Sequence, residues 1–222
     1  MSLIREEDAR GLRAHLEHHL SGSVTIDYFT RPDSRLFVPG RECEACDDTR
    51  TLLEEVTQLS GSIQLRVHDF FGEDPAVSGM AIDRIPAIVL SGGAKGRVRH
   101  FGIPAGYEFG SFLELLIDVG NGRTDLAQKT RESLEGLDRD IHIRVFVTPS
   151  CPFCPAAARL AQKMAAESGR VTADVVEAGE FPDLVERYNV HGVPKTVVNE
   201  TVEFVGAPKE ALFLQHVLRA AA

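Results

Sequence analysis

VTPSCPFCPAAA, residues Val147 to Ala158, decides the reading of this chain. Ahead of it runs IHIRVFV, Ile141 to Val147, an apolar and β-branched stretch that predicts a buried strand. Behind it Leu160, Ala161, Met164 and Ala165 recur at helical spacing. Cys151 and Cys154 therefore sit at a strand-to-helix junction, where unpaired backbone N–H groups and the helix dipole favour negative charge. A thiolate is stabilised at such a place, and the thiolate is the reactive form of cysteine. Cys151 is placed to attack, and Cys154, within one helical turn, to resolve the mixed disulfide. Pro152 suits the first helical position, where a missing N–H costs nothing.

The remaining two cysteines, Cys43 and Cys46 in RECEACDDTR, form a second C-x-x-C. VTIDYFT, Val24 to Thr30, is the counterpart of the strand before CPFC. Twelve residues separate Thr30 from Cys43 and two separate Thr148 from Cys151, which predicts a ten-residue insertion within RPDSRLFVPGRE. Downstream the register is strict. Pro86 in DRIPAIVL lies 43 residues after Cys43, and Pro194 in HGVPKTVV lies 43 after Cys151. Agreement to the residue points to an internal duplication. Each proline opens an apolar strand, so Ile85–Pro86 and Val193–Pro194 are candidate cis bonds that would present the backbone of Ile85 and Val193 to an extended substrate. The plainer alternative is a trans proline on an edge strand.

Two other uses of the cysteines fit less well. Zinc knuckles are typically spaced by roughly 15–20 residues, whereas 104 residues lie between Cys46 and Cys151. A purely structural bridge across two residues closes too short a loop to remove much unfolded-state entropy. His15, His18 and His19 share a predicted helix, but no carboxylate or cysteine pattern completes a metal site there, and the reading is of exposed helix histidines. No metal or cofactor is expected, because the electrons reside on sulfur.

The 222 residues suit one large or two small domains, and the 43% hydrophobic, 26% charged composition is that of a globular protein. A net charge of −9 without basic clusters argues against nucleic acid. The N-terminal twenty residues are charged from Arg5 onward and lack an apolar signal core, and no apolar run approaches a membrane span. The cytoplasm is the expected compartment, where paired cysteines are more often catalytic or metal-binding than structural.

In both halves the order is helix, strand, C-x-x-C, helix, strand, short turn-rich stretch, proline-led hairpin and final helix. That is the thioredoxin arrangement. The fold class is α/β, two tandem thioredoxin- or glutaredoxin-like units at 1–120 and 121–222, each a central mixed sheet flanked by helices. GNGRTD, Gly120 to Asp125, marks the boundary. The two sites should differ. Glu42, Glu44, Asp47 and Asp48 surround the first pair, whereas no ionisable side chain except the cysteines lies between Thr148 and Ala158. Like-charge repulsion makes a thiolate harder to form at Cys43, so Cys151 is expected to be the more reactive thiol.

With VFVTPSCPFCPAAARLAQKMA, HFGIPAGYEF, VHGVPKTVV and the second C-x-x-C with its own proline in hand, the chain resembles the glutaredoxin-like protein disulfide oxidoreductases built of tandem thioredoxin folds. The resemblance implies an enzyme that reduces protein disulfides, and can also oxidise or isomerise them. It implies Cys151 as nucleophile, Cys154 as resolving thiol and Pro194 as cis-proline, with Cys43, Cys46 and Pro86 in parallel roles. It also implies re-reduction by a thioredoxin-reductase-like flavoenzyme. The insertion before CEAC departs from the family pattern and would restrict that site. FVGAPKE lacks the Gly-Gly-x-x-Asp-like turn of glutathione-using glutaredoxins, so a glutathione-independent electron source is expected. The second reading is an electron relay to a peroxiredoxin, since a tandem thioredoxin unit also resembles the N-terminal domain of the alkyl hydroperoxide reductase flavoprotein.

Overall fold

A computed structural model describes residues 3–32 and 38–221. Residues 33–37, part of the predicted insertion, lie outside it. The first unit contains α1 (Glu6–His19), β1 (Val24–Thr30), α2 (Cys46–Thr57), β2 (Ile63–Asp69), α3 (Pro75–Gly79), β3 (Ala87–Ser91), β4 (Arg97–Phe101) and α4 (Tyr107–Asn121). The second repeats the order with α5 (Gln128–Glu135), β5 (Ile141–Val147), α6 (Cys154–Glu167), β6 (Val171–Glu177), α7 (Pro182–Arg187), β7 (Lys195–Val198), β8 (Val202–Val205) and α8 (Glu210–Ala221).

The strands do not form two separate sheets. They join into one eight-stranded sheet, ordered β2-β1-β3-β4-β6-β5-β7-β8, through a parallel pairing of β4 with β6. Each unit taken alone would leave one of those strands as an unpaired edge, an exposed row of N–H and C=O groups. Fusion removes both edges. The pairing carries a buried ion pair at its middle: Arg99 Nε and Nη2 donate to the two Asp174 oxygens at 2.6 and 2.8 Å, and Arg99 also donates to the Ala81 carbonyl. His142 Nε2 lies 2.5 Å from the same carboxylate. Burial alone would raise the Asp174 pKa, but hydrogen bonds from His142 and Arg99 outweigh it and hold the group below the usual carboxylate range. Above the sheet α4 packs on α6, so the core of Leu16, Ile26, Leu53, Ile88, Phe112, Leu116, Val145 and Phe213 is continuous across the units.

The register corrects the length of the insertion. Thr30 pairs with Asp69 as Val147 pairs with Glu177, so Thr30 corresponds to Val147, one residue earlier than the sequence match. Twelve residues then face three, and the insertion is nine residues long.

Candidate functional site

β1, β4, β5 and β6 run parallel, since β3 is antiparallel to both β1 and β4. Their C-terminal ends share one edge of the sheet, and both C-x-x-C motifs lie on it. Cys43 is joined to Cys46 and Cys151 to Cys154 in disulfides with Cα–Cα distances of 5.4 and 5.5 Å. Each pair is closed within its own unit, which is not the arrangement of a four-thiolate zinc site. Among the described residues no group of three His, Cys, Asp or Glu is arranged to hold a metal ion. His15 bonds Glu114 of α4 at 2.7 Å, a carboxylate that the helical spacing of the histidines did not foretell.

At the second site the Cys151 N–H donates to the Thr148 carbonyl at 3.1 Å, closing the turn out of β5. α6 begins at Cys154, and the proline of its first turn is Pro155. Pro152 therefore occupies the preceding turn, not the first helical position expected for it. Cys154 N–H points at Cys151 Sγ at 3.1 Å. In the reduced protein that donor and the α6 dipole would favour the Cys151 thiolate. Cys151 is 8% exposed and Cys154 wholly buried, so one sulfur meets solvent. Beside them Phe153 is 69% exposed.

Val193–Pro194 and Ile85–Pro86 are both cis, as the repeated spacing predicts. The Val193 carbonyl oxygen lies 3.8 Å from Cys151 Sγ. Beyond the prolines, Gly206 N–H donates to the Pro194 carbonyl at 2.8 Å and Gly102 N–H to that of Pro86 at 2.9 Å. The two hairpins are thus pinned alike, and each predicted site residue stands where the duplication places it.

The first site differs in its surroundings. Cys46 begins α2, with Asp47 and Asp48 in the first turn. Arg31 holds Asp47 at 2.5 Å and Arg50 holds Glu54 at 3.0 Å, while Arg41 lies over the Phe71 ring, 4.9 Å from its centroid. The buried Tyr28 hydroxyl donates to the Cys46 carbonyl at 2.6 Å, and burial pushes its pKa up to about 12. The matching position in the second unit is Val145, whose side chain has no group to make such a bond.

Two carboxyls escaped the sequence reading. Glu108, in the first turn of α4, is 3% exposed, its Oε1 has no partner, and burial pushes its pKa up to about 7. Its neighbour Tyr107 donates a backbone bond to the Pro149 carbonyl at 2.9 Å, so a first-unit acid sits at the wall of the second-unit motif. Reciprocally Glu180, from the loop after β6, accepts from Ile103 N–H of the first unit at 2.7 Å, and burial raises it to about 6. A signal for Glu108 did exist: it shares the helical stripe of Phe112, Leu115, Leu116 and Val119.

A thioredoxin-domain family model matches residues 141–219. The thioredoxin of Methanocaldococcus jannaschii is 40% identical over 74 residues, which is 32% of this chain and 87% of that protein. The solved protein disulfide oxidoreductase from Aeropyrum pernix is 31% identical, with a TM-score of 0.86 over 98% of this chain and 93% of that one. An alkyl hydroperoxide reductase of Pseudomonas putida is 26% identical over 169 residues, 69% of this chain, and the chain spans 32% of that relative's length.

Proposed function

We infer that this chain, which belongs to the thioredoxin family and resembles its two-unit protein disulfide oxidoreductases along nearly its whole length, is a thiol–disulfide oxidoreductase acting on protein disulfides through Cys151 and Cys154. The observation that carries this is the Cys151 sulfur, at the mouth of α6, with a backbone donor at 3.1 Å and the Val193 carbonyl at 3.8 Å. In the reductive direction the Cys151 thiolate attacks one sulfur of the substrate disulfide. That bond breaks, the other substrate sulfur leaves as a thiolate and takes a proton, and a mixed disulfide remains. Cys154, having lost its proton, attacks Cys151, releases the second substrate thiol and leaves the Cys151–Cys154 disulfide seen here. The substrate has gained two electrons and two protons. A second dithiol must then reduce the enzyme. The backbone of Val193 would hold an extended substrate by main-chain hydrogen bonds. Cys43 and Cys46, with Ile85 and Pro86, form a second site of the same design.

A reductant of the thioredoxin-reductase type and a cytoplasmic location complete this reading; no helix among the described residues is long and apolar enough to cross a membrane. A dedicated relay to a peroxiredoxin is the second reading, supported by the similarity to the alkyl hydroperoxide reductase of Pseudomonas putida. Dithiothreitol-driven insulin reduction by the wild type, Cys43→Ser/Cys46→Ser and Cys151→Ser/Cys154→Ser tests the first. Activity should survive loss of the first pair and collapse with loss of the second. An inactive wild type with accessible thiols would remove the general-reductase reading, and coupled peroxide turnover with a peroxiredoxin would then support the relay.

A further inference from the structure

A cleft of about 720 Å³ opens on the helical face of the first unit. Leu3, Leu12, Leu52, Ile103, Pro104 and Phe109 line it. The charged residues at its rim, Arg5, Glu7 and Asp8, pair with one another, at 3.0 Å for Arg5–Glu7 and 2.8 Å for Arg5–Asp8. The lining therefore offers apolar surface with its rim charges already paired, which suits apolar side chains. Its position matters as much. One wall includes α2, the helix that starts at Cys46. The opposite wall is residues 103–106 and the start of α4, which touches the second motif: Tyr107 N–H bonds the Pro149 carbonyl, two residues before Cys151. Tyr107 is 57% exposed and Phe153, inside CPFC, is 69% exposed, so exposed aromatic surface continues from the cleft to the Cys151 end of the edge.

We propose that this cleft is the substrate-docking groove of the enzyme, and that it takes extended segments of incompletely folded proteins whose apolar side chains flank the disulfide. The proposal rests on the exchange reading above. Its ground is continuity with the reaction centres. A segment lying in the cleft is bounded by α2 on one side and by the wall of CPFC on the other. A native, folded protein keeps apolar side chains inside, whereas a chain still acquiring its disulfides exposes them. The first unit would then act as a binding arm for the second, and the wide apolar cleft would give the enzyme a preference that the sulfur chemistry itself does not supply.

Gly11 makes the groove testable without damage to the core. It lies on the cleft wall, and a Cβ built there meets nothing within 4 Å. Gly11→Glu therefore puts a charge into the groove, and Gly11→Ala serves as the control. The full chain is assayed on two disulfide-bonded peptides identical except for Leu-Phe or Ser-Gly flanks, and on 5,5′-dithiobis(2-nitrobenzoate), a small disulfide too short to reach the cleft. The expected result is a wild-type kcat/KM about tenfold or more in favour of the apolar peptide. Gly11→Glu should abolish it through KM, Gly11→Ala should keep it, and both should still reduce the small disulfide. Equal kcat/KM for the two peptides, or a preference retained in a folded Gly11→Glu, overturns the proposal. So does a wild-type dimer that Gly11→Glu dissociates, since a second copy would then fill the groove. A wild type that reduces neither peptide nor the small disulfide overturns the exchange reading instead.

Discussion

Glu108→Gln should make this protein more stable, and increasingly so as the pH rises. Glu108 is 3% exposed with an unpartnered Oε1, and burial lifts its pKa from 4.5 to about 7. In the unfolded chain the carboxyl loses its proton near 4.5; in the folded chain it keeps the proton to about 7. Between those values the native state binds more protons than the unfolded one, so stability falls as pH rises through the window. Below about 4.5 both states are protonated and the group costs nothing. Above about 7 both are ionised, and the folded state carries the full penalty. A shift from 4.5 to about 7 corresponds to about 3 kcal/mol. Glutamine has the same shape and never ionises, so the variant escapes this penalty. Urea unfolding of wild type and variant, with disulfides intact, should agree within a few tenths of a kcal/mol near pH 4 and diverge by up to about 3 kcal/mol at pH 8. The reasoning is refuted by two parallel pH profiles, which would mean that Glu108 is solvated or paired in solution.

Other perturbations have definite directions. Asp174→Asn leaves Arg99 charged and buried at the junction of the two units, and should cost about 3–5 kcal/mol in thermal or urea unfolding; a loss below about 1 kcal/mol would show that the pair contributes little. Gly106 has φ +59°, and a Cβ there would stand 2.2 Å from the Pro149 oxygen. Gly106→Ala should therefore destabilise the protein by about 1–3 kcal/mol and slow turnover at Cys151 while sparing a Cys43-only variant; equal effects on both sites would disprove the local origin. In reduced single-site variants, iodoacetamide should modify Cys151 at lower pH than Cys43, because Asp47 and Asp48 lie in the first turn of α2 and no acid lies in that of α6. Identical alkylation profiles would contradict this.

Much of the molecule could be read from the chain because its information is local and repeated. The strand-to-helix switch at Cys151, the 43-residue spacing to proline and the cis bonds all belong to one unit, and the second unit checks each of them. What escaped is what one unit says nothing about. RVRHF and TADVV each place a charge in the middle of a strand, Arg99 and Asp174, and only the pairing of β4 with β6 turns two local anomalies into one ion pair. Glu108 was hidden for the same reason: its burial is completed by the second unit's helix and turn. The one-residue error in the insertion came from matching Thr30 to Thr148 by identity, where the strand register matches it to Val147.

That fusion also limits how the two sites can cooperate. β1 and β5, which feed them, are separated in the sheet by β3, β4 and β6. Four interstrand steps place the strand ends about 19 Å apart. Disulfide exchange requires one sulfur to attack another in contact, and among the described residues no cysteine lies between the pairs. The hydrogen-bonded sheet and the buried Arg99–Asp174 pair hold that separation fixed, so a flexing linker cannot bring Cys43 to Cys151. Electrons that enter at one site reach the other only on a diffusing substrate or partner. The two motifs are therefore parallel reaction centres on one rigid edge, and what they can share is the chain that lies across it.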